Sequence, residues 1–150
     1  MPHASVPVRV RIVLCFLHLH QALYEATDGR AGHRLWGISC LLLRTTGRRT
    51  GKHRTSALVY ACDGEDYVVV GSLGGADRAP AWLHNVRACP QVWAQVQRHR
   101  FPAIAEVIEP GDDAYERLWH LVNQDSQGRY ERYQARTRRP IPVVVLTPQG

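Results

Sequence analysis

Apolar residues recur at helical intervals in four stretches of this chain and at strand intervals in most of the remainder. Val10, Leu14, Leu17, Gln21 and Tyr24 predict an amphipathic helix over about 10–28 that ends near Thr27-Asp28-Gly29, although Val6, Val8, Val10 and Ile12 also alternate as a strand would. Ile38 to Thr45, with the continuous run Leu41-Leu42-Leu43, predicts a buried strand. Thr55 to Ala61 is a second strand, and after a turn at Asp63-Gly64 the β-branched run Tyr67 to Val70 is a third, so three short-linked strands predict an antiparallel meander. Beyond Ser72-Leu73-Gly74-Gly75-Ala76-Asp77, Trp82, Leu83 and Val86 mark a helix that Asp77 could help cap, that Pro80 suits in its first turn, and that Cys89-Pro90 stops. Val92, Ala94 and Val96 alternate with Trp93, Gln95 and Gln97 as a half-exposed fourth strand, and Pro102 to Ile108 is a fifth after a turn at Arg98-His99-Arg100. Asp113 and Glu116 are spaced as a capping box ahead of Tyr115, Leu118, Trp119 and Val122. Tyr130, Tyr133 and Gln134 share the face of a further helix, which Pro140-Ile141-Pro142 ends before the apolar strand Val143 to Leu146.

The order β-β-β-α-β-β-α-α-β predicts an α+β fold, a small barrel of antiparallel strands with helices over its open ends. A chain of 150 residues with no repeat or linker is expected to form one domain, the barrel occupying about 38–148. No run reaches the roughly 18 apolar residues of a membrane helix. The N-terminal helix could rest on a membrane surface or pack on its own core. Arg9 and Arg11 ahead of Ile12 to Leu17 imitate a signal peptide, but no small-x-small site follows and His18, His20 and Gln21 interrupt the run. Cys15, Cys40, Cys62 and Cys89 are irregularly spaced, with no Cys-x-x-Cys and no zinc-type pairing with His, so a reduced, cytoplasmic protein without a metal site is expected.

Charge changes this picture in one region. The formal net charge is +6, and between Gly29 and Cys62 there is no Asp or Glu while Arg30, Arg34, Arg44, Arg48, Arg49, Lys52 and Arg54 contribute seven positive charges. The loop Gly47-Arg48-Arg49-Thr50-Gly51-Lys52-His53-Arg54 places peptide N–H groups beside cations, and each charge-assisted bond to a phosphate would contribute roughly 1.5 to 3 kcal/mol. A solvated hairpin tip fits the same residues. The Gly74-Gly75 turn before a helix is a second place where an anion is welcome, or simply a turn. Arg129 to Arg138, interleaved with Tyr130 and Tyr133, is a second basic stretch. Net basicity permits nucleic acid, an anionic membrane surface or a small polyanion as partner. Neither Gly-x-Ser-x-Gly nor His-Glu-x-x-His occurs, so an enzyme of this sequence would rely on a bound cofactor.

The run Leu41-Leu42-Leu43-Arg44-Thr45-Thr46-Gly47-Arg48-Arg49-Thr50-Gly51 with Arg54-Thr55 resembles the deazaflavin-dependent nitroreductase family, a branch of the split-barrel flavin-binding fold. Tyr67-Val68-Val69-Val70-Gly71-Ser72 with Gly74-Gly75-Ala76 is similar to it as well. So are Pro80-Ala81-Trp82 with His84-Asn85, and Tyr130, Tyr133 and Thr137 followed by Ile141 to Leu146. Four motifs in order cover about residues 18 to 148. The resemblance implies a split β-barrel of about six strands that binds coenzyme F420 rather than FMN. It implies hydride transfer from the reduced coenzyme to an electron-poor small molecule, quinone-like or nitro-aromatic, in a monomer or homodimer. By position, Arg48, Arg49, Thr50, Gly51 and Arg54 would hold the phosphate and oligoglutamate tail, and Ser72, Gly74, Gly75, Trp82 and Asn85 would line the ring and linker. Tyr130 and Tyr133, with Ser72, would face the acceptor. Leu73, Ala79, Leu83 and Ala57 depart from the family pattern, at positions where lysine or asparagine, asparagine, tyrosine and proline are common. The departures leave room for a protein that binds the coenzyme without efficient turnover, and the basic stretches for one that binds nucleic acid instead, although no aromatic stacking platform on one strand face accompanies them.

Overall fold

The computed structural model describes residues 34–35 and 38–150. The helix expected over 10–28, with His18 and His20, lies outside the described residues. Eight antiparallel strands are described: β1 (Arg34–Leu35), β2 (Ile38–Thr46), β3 (His53–Val59), β4 (Ala61–Asp63), β5 (Asp66–Val70), β6 (Gln91–Val96), β7 (His99–Ile108) and β8 (Val143–Pro148). Their order in the sheet is β1-β2-β6-β7-β8-β5-β4, with β3 on the other edge of β2. Three helices, α1 (Ala81–Ala88), α2 (Tyr115–Asp125) and α3 (Arg129–Gln134), and a 3-10 turn at Leu73–Gly75 complete the described elements. This curled sheet is the split barrel that the motifs imply.

The meander is present but changes partners midway. β3 ladders on β2 from Cys40↔Val59 to Thr46↔His53. The strand expected to continue through Ala61 breaks at Tyr60, whose N–H donates to the Ser39 carbonyl at 3.3 Å, and β4 then pairs with β5 (Ala61↔Val68) around Gly64 at φ 62°. The far edge of β5 takes β8 (Tyr67↔Leu146, Val70↔Val143), because both are valine-rich runs that can be buried on two faces. β2 takes β6 (Leu43↔Ala94), and β6 and β7 form a hairpin whose tip is Gln97-Arg98, one residue earlier than the sequence suggests.

Alternation along the strands sorts side chains into two cores. Leu41, Leu43, Val69, Val144 and Leu146 face the barrel interior, which Trp82, Leu83 and Val86 of α1 plug. Val68, Val70 and Val143 point the other way, under Tyr115, Leu118 and Val122 of α2 and Tyr130 of α3. Burying each such side chain stabilises the fold by about 1.5–3 kcal/mol.

Both expected helix caps are absent, for local reasons. Pro80 is the N-cap of α1, and Asp77 instead accepts a hydrogen bond from Thr137 Oγ1 at 2.8 Å. Ahead of α2, Asp112 closes a turn by accepting from the Glu109 N–H at 2.7 Å. Ala114 at the N-cap is already helical at φ −82°, so the extended geometry that a capping box needs is missing. Asp63 carries a bidentate bond from Arg117 (2.8 and 3.0 Å), which holds its carboxyl below the usual range.

The glycine turn sits directly on α3. A Cβ at Gly75 (φ 83°) would lie 2.6 Å from the Tyr133 carbonyl oxygen, whereas one at Gly74 (φ 64°) would meet open space. Gly75→Ala should therefore destabilise the protein by roughly 1–3 kcal/mol more than Gly74→Ala, since only the first adds a backbone clash to the strain of positive φ. Equal midpoints in urea denaturation would contradict this packing.

Candidate functional site

The basic loop is a tight turn carried on the β2–β3 hairpin. Gly47 N–H donates to the Lys52 carbonyl (2.7 Å), Gly51 N–H to the Gly47 carbonyl (2.8 Å), and Lys52 N–H to Thr50 Oγ1 (3.2 Å). Gly51 takes φ 70° to close it. These three N–H groups are consumed inside the turn, where the exposed cationic side chains offer a further attraction for anions. Arg48, Arg49, Lys52 and Arg54 are all exposed.

One helix residue ties this turn to the barrel. Asn85 of α1, 4% exposed, accepts from the Arg48 N–H at 3.1 Å and donates through Nδ2 to Thr45 Oγ1 at 3.1 Å. Thr45 itself is buried, opposite Arg54 in the ladder. Beside Asn85, His84 is half-buried. Its pKa is lowered first by burial, which disfavours the imidazolium, and then by Arg48, Arg87, Arg139 and Arg49. No carboxylate is among the groups acting on it.

The second glycine turn is held by an arginine fork. Arg139 donates from Nε to the Ala76 carbonyl (2.9 Å), from Nη1 to Gly71 (3.1 Å) and from Nη2 to Ser72 (2.8 Å). Ser72 is buried, and its carbonyl also accepts from Gly75 N–H at 2.9 Å. The fork thus fixes Ser72-Leu73-Gly74-Gly75 from below while Tyr133 fixes it from α3.

Tyr130 and Tyr133 meet edge to face at 6.0 Å, and the Arg136 guanidinium lies 5.5 Å from the Tyr133 ring centre. Tyr130 is buried, and that burial pushes its hydroxyl up to about 12 against the smaller, opposing pull of Arg129. It is a proton-bearing donor throughout the neutral range. Next to it a cavity of about 190 Å³ is lined by Ser39, Tyr60, Val122, Asp125 and Ser126, among others. Ser126 Oγ is buried there with no hydrogen-bond partner among the described residues.

A family model described as F420H(2)-dependent quinone reductase matches residues 16–148. The chain belongs to this family. An F420H(2)-dependent quinone reductase of Mycobacterium tuberculosis is 50% identical over 132 residues, 87% of this chain and 89% of that protein. Its counterpart in Mycobacterium bovis is equally similar. A solved F420-H2 dependent reductase, FDR-A, is 32% identical with a TM-score of 0.64, covering 71% of this chain and 92% of its own. A chain solved as a domain-swapped dimer is 27% identical at the same TM-score, over 86% of this chain and 97% of its own. The expected oxidoreductase of F420-dependent type, on a split barrel, is thereby established, and the family places quinone reduction at its centre.

Among the residues expected at a family site, the structure joins Arg48 to Asn85 and Gly75 to Tyr133 directly. Arg49, Thr50, Gly51 and Arg54 surround the first contact, and Ser72 and Gly74 the second. Tyr130 stands apart from the turn, toward the start of β2 and the cavity. Trp82 is 6% exposed and belongs to the interior core, so it supports a site rather than presenting its ring to one. Leu83, at 1% exposure, is likewise a core residue. Sequence reasoning quoted Thr45 and His84 within the family motifs without giving either a role, and it passed over Arg139. Arg139 is indistinguishable by composition from the other arginines of its stretch; only its Pro140 neighbour sets it apart. Among the described residues no helix is long and apolar enough to cross a membrane, and no group of three or more His, Cys, Asp or Glu could hold a metal.

Asn85→Ala would leave the Arg48 N–H and buried Thr45 Oγ1 without their partner, costing about 1–3 kcal/mol. Urea denaturation should show the loss. The Arg48 amide should exchange with solvent faster in the variant, and unchanged exchange would place the latch elsewhere.

Proposed function

We propose that this chain oxidises reduced F420 and reduces a quinone-like acceptor, with the ends of β2 holding the two partners. The observation that carries the reading is the β2–β3 turn, which exposes Arg48, Arg49, Lys52 and Arg54 together in a stretch with no acid from Gly29 to Cys62 and so suits the phosphate and glutamate charges of F420. From Ser39 to Thr45, β2 runs about 20 Å at the usual rise of a strand, long enough to separate an anionic tail at the hairpin tip from a ring near Tyr130. When bound, the reduced coenzyme supplies a hydride.

The chain's own residues do the rest. Arg48, Arg49 and Arg54 hold the phosphate and tail, with Thr50 and Gly51 shaping the turn that presents them. Ser72, Gly74 and Gly75 offer a side-chain-poor surface, fixed by Arg139 and α3, along which a flat ring can lie. Asn85 keeps the tip in register with that surface, and Trp82 backs it from the core. Tyr130 and Tyr133 face the acceptor. Tyr130, protonated at neutral pH, donates a hydrogen bond to an acceptor oxygen where negative charge develops, and the buried Ser126 hydroxyl gives the cavity a second polar group. Residues 10–28, whose spacing is amphipathic, are the part we propose to meet a membrane surface, where apolar quinones reside. Self-association, as in the related domain-swapped chain, is the assembly we propose to test by light scattering.

Fluorescence titration with oxidised F420, and FMN alongside, checks the coenzyme. Arg54→Ala should weaken F420 binding about tenfold or more, while Arg98→Ala, at the β6–β7 tip, leaves it within twofold; equal losses would remove the hairpin tip from the site. Steady-state reduction of menadione and a nitro-aromatic checks the acceptor end. Tyr133→Phe keeps the ring and the backbone contact with Gly75, so it should slow acceptor reduction with little change in F420 affinity. A large affinity loss at unaltered turnover would give Tyr133 a coenzyme role instead.

A further inference from the structure

The outer face of the sheet is covered unevenly. Where β5 and β8 form it, Val68, Val70 and Val143 lie under α2 and α3. Where β6 and β7 form it, the face carries Trp93, 53% exposed, and Ile104, 37% exposed, with the half-buried Pro102 adjoining both, and neither core takes in any of the three. The ladder register puts them on one side of the sheet. Trp93 pairs with Pro102 and with Arg44 of β2, while Ile104 and Glu106 follow Pro102 at intervals of two and so share its face. An exposed apolar patch with polar margins marks a surface built for a partner, and an indole is the side chain most enriched at such contacts.

The two flanks of the patch carry opposite charges. Arg44 lies beyond Trp93 and Glu106 beyond Ile104; both are exposed, and neither makes an ion pair among the described residues. They are separated by two strands across and four residues along, about 17 Å at the usual sheet spacings, too far to pair within one chain. Read along this diagonal, the face presents a cation, an indole, an isoleucine and an anion. That order is complementary to its own reverse.

We propose that this face is the contact between two copies of the chain, related by a two-fold axis that lies in the interface plane and passes close to Gln91 and Pro102. Rotation about that axis sets Arg44 of each copy against Glu106 of the other and Trp93 of each against Ile104 of the other. Every contact then occurs twice, as an isologous interface requires. The centre is aromatic and aliphatic and the charges stand at its margin, which is the anatomy of a specific interface. A membrane surface would accept Trp93 and Ile104, but its anionic headgroups would repel Glu106, and the phosphates of nucleic acid would do the same. A second copy satisfies both charges. The inference gives a surface to the self-association proposed above, and it does not depend on the coenzyme.

Sedimentation equilibrium of the full chain from about 1 μM to about 100 μM is the test, and wild type should dimerise within that range. Trp93→Ser removes a half-exposed ring that neither core uses, so the fold should stand while the dimer weakens about tenfold or more. Arg44→Glu and Glu106→Arg each set like charges against one another across the axis and should each weaken the dimer about five- to tenfold. The double variant Arg44→Glu/Glu106→Arg restores opposite charges and should return to within about threefold of wild type. Such recovery reports a contact between copies, because the two positions cannot reach each other in one chain. A dimer that none of these substitutions weakens, or single-variant losses that the double variant does not recover, would overturn this face and leave self-association standing. A wild-type chain that stays monomeric throughout would overturn both, and its flotation with phosphatidylglycerol vesicles only when Trp93 is present would give the face to a membrane instead.

Discussion

Strand β2 is laddered on both edges, and the working parts of this protein hang from it. β3 ladders on it from Cys40 to Thr46, β1 pairs with its start, and β6 pairs with Leu42 to Arg44. A strand bonded on two sides has no freedom to slide, because a slip of one residue would exchange Leu41 and Leu43 for Leu42 and Arg44 in the barrel interior. That constraint fixes where Thr45 meets Asn85, where the basic turn projects, and where Ser39 enters the wall of the cavity beside Tyr130. The two ends of the proposed site are therefore positioned by one element, with errors at neither end absorbed by a loop.

Holding several guanidinium groups together is unfavourable in the free protein, and the fold offsets this with local partners that cost no charge at the site itself. Arg139 is satisfied by neutral carbonyls, Arg87 by Glu109, and the backbone of Arg48 by an amide side chain. At Arg139 and Arg48 the hydrogen-bond partners are neutral groups, which leaves most of the charge of the exposed turn available to a ligand, whereas Arg87 is paired with a carboxylate. Acids in the same places would have made a more stable free protein with less attraction for a polyanion.

On the remaining surface, Trp93 is 53% and Ile104 37% exposed, on the outward face of β6 and β7. The half-exposed pattern of β6 anticipated the first of these. Gln95 goes against the same pattern: it faces outward in the alternation and is nevertheless buried, bonded to the Gln97 carbonyl and to Arg100.

Much of this was legible in the order of residues. Apolar periodicity located six of the strands and all three described helices, because burial on one or two faces leaves a period that needs no knowledge of the partner. The acid-free stretch through Arg54 marked the exposed basic turn, and the four ordered motifs announced the family. Local grammar failed at the helix starts, where Asp77 and Asp113 have the right spacing but Thr137 and the Asp112 turn claim the chain first. It also failed at Tyr60, where a continuous apolar run gives no sign that the strand changes partners. Which arginine is structural was decided only in three dimensions: Arg139 is chosen by three carbonyls from residues 71, 72 and 76, a contact across more than sixty positions that no periodicity encodes. The same holds for the bonds of Asn85, which the motif marked as a coenzyme residue but whose partners, the Arg48 N–H and Thr45 Oγ1, only packing supplied. Sequence alone determined the elements, the charge and the family, since these are sums over near neighbours. Tertiary structure decided which polar groups meet, since that depends on the closure of the barrel.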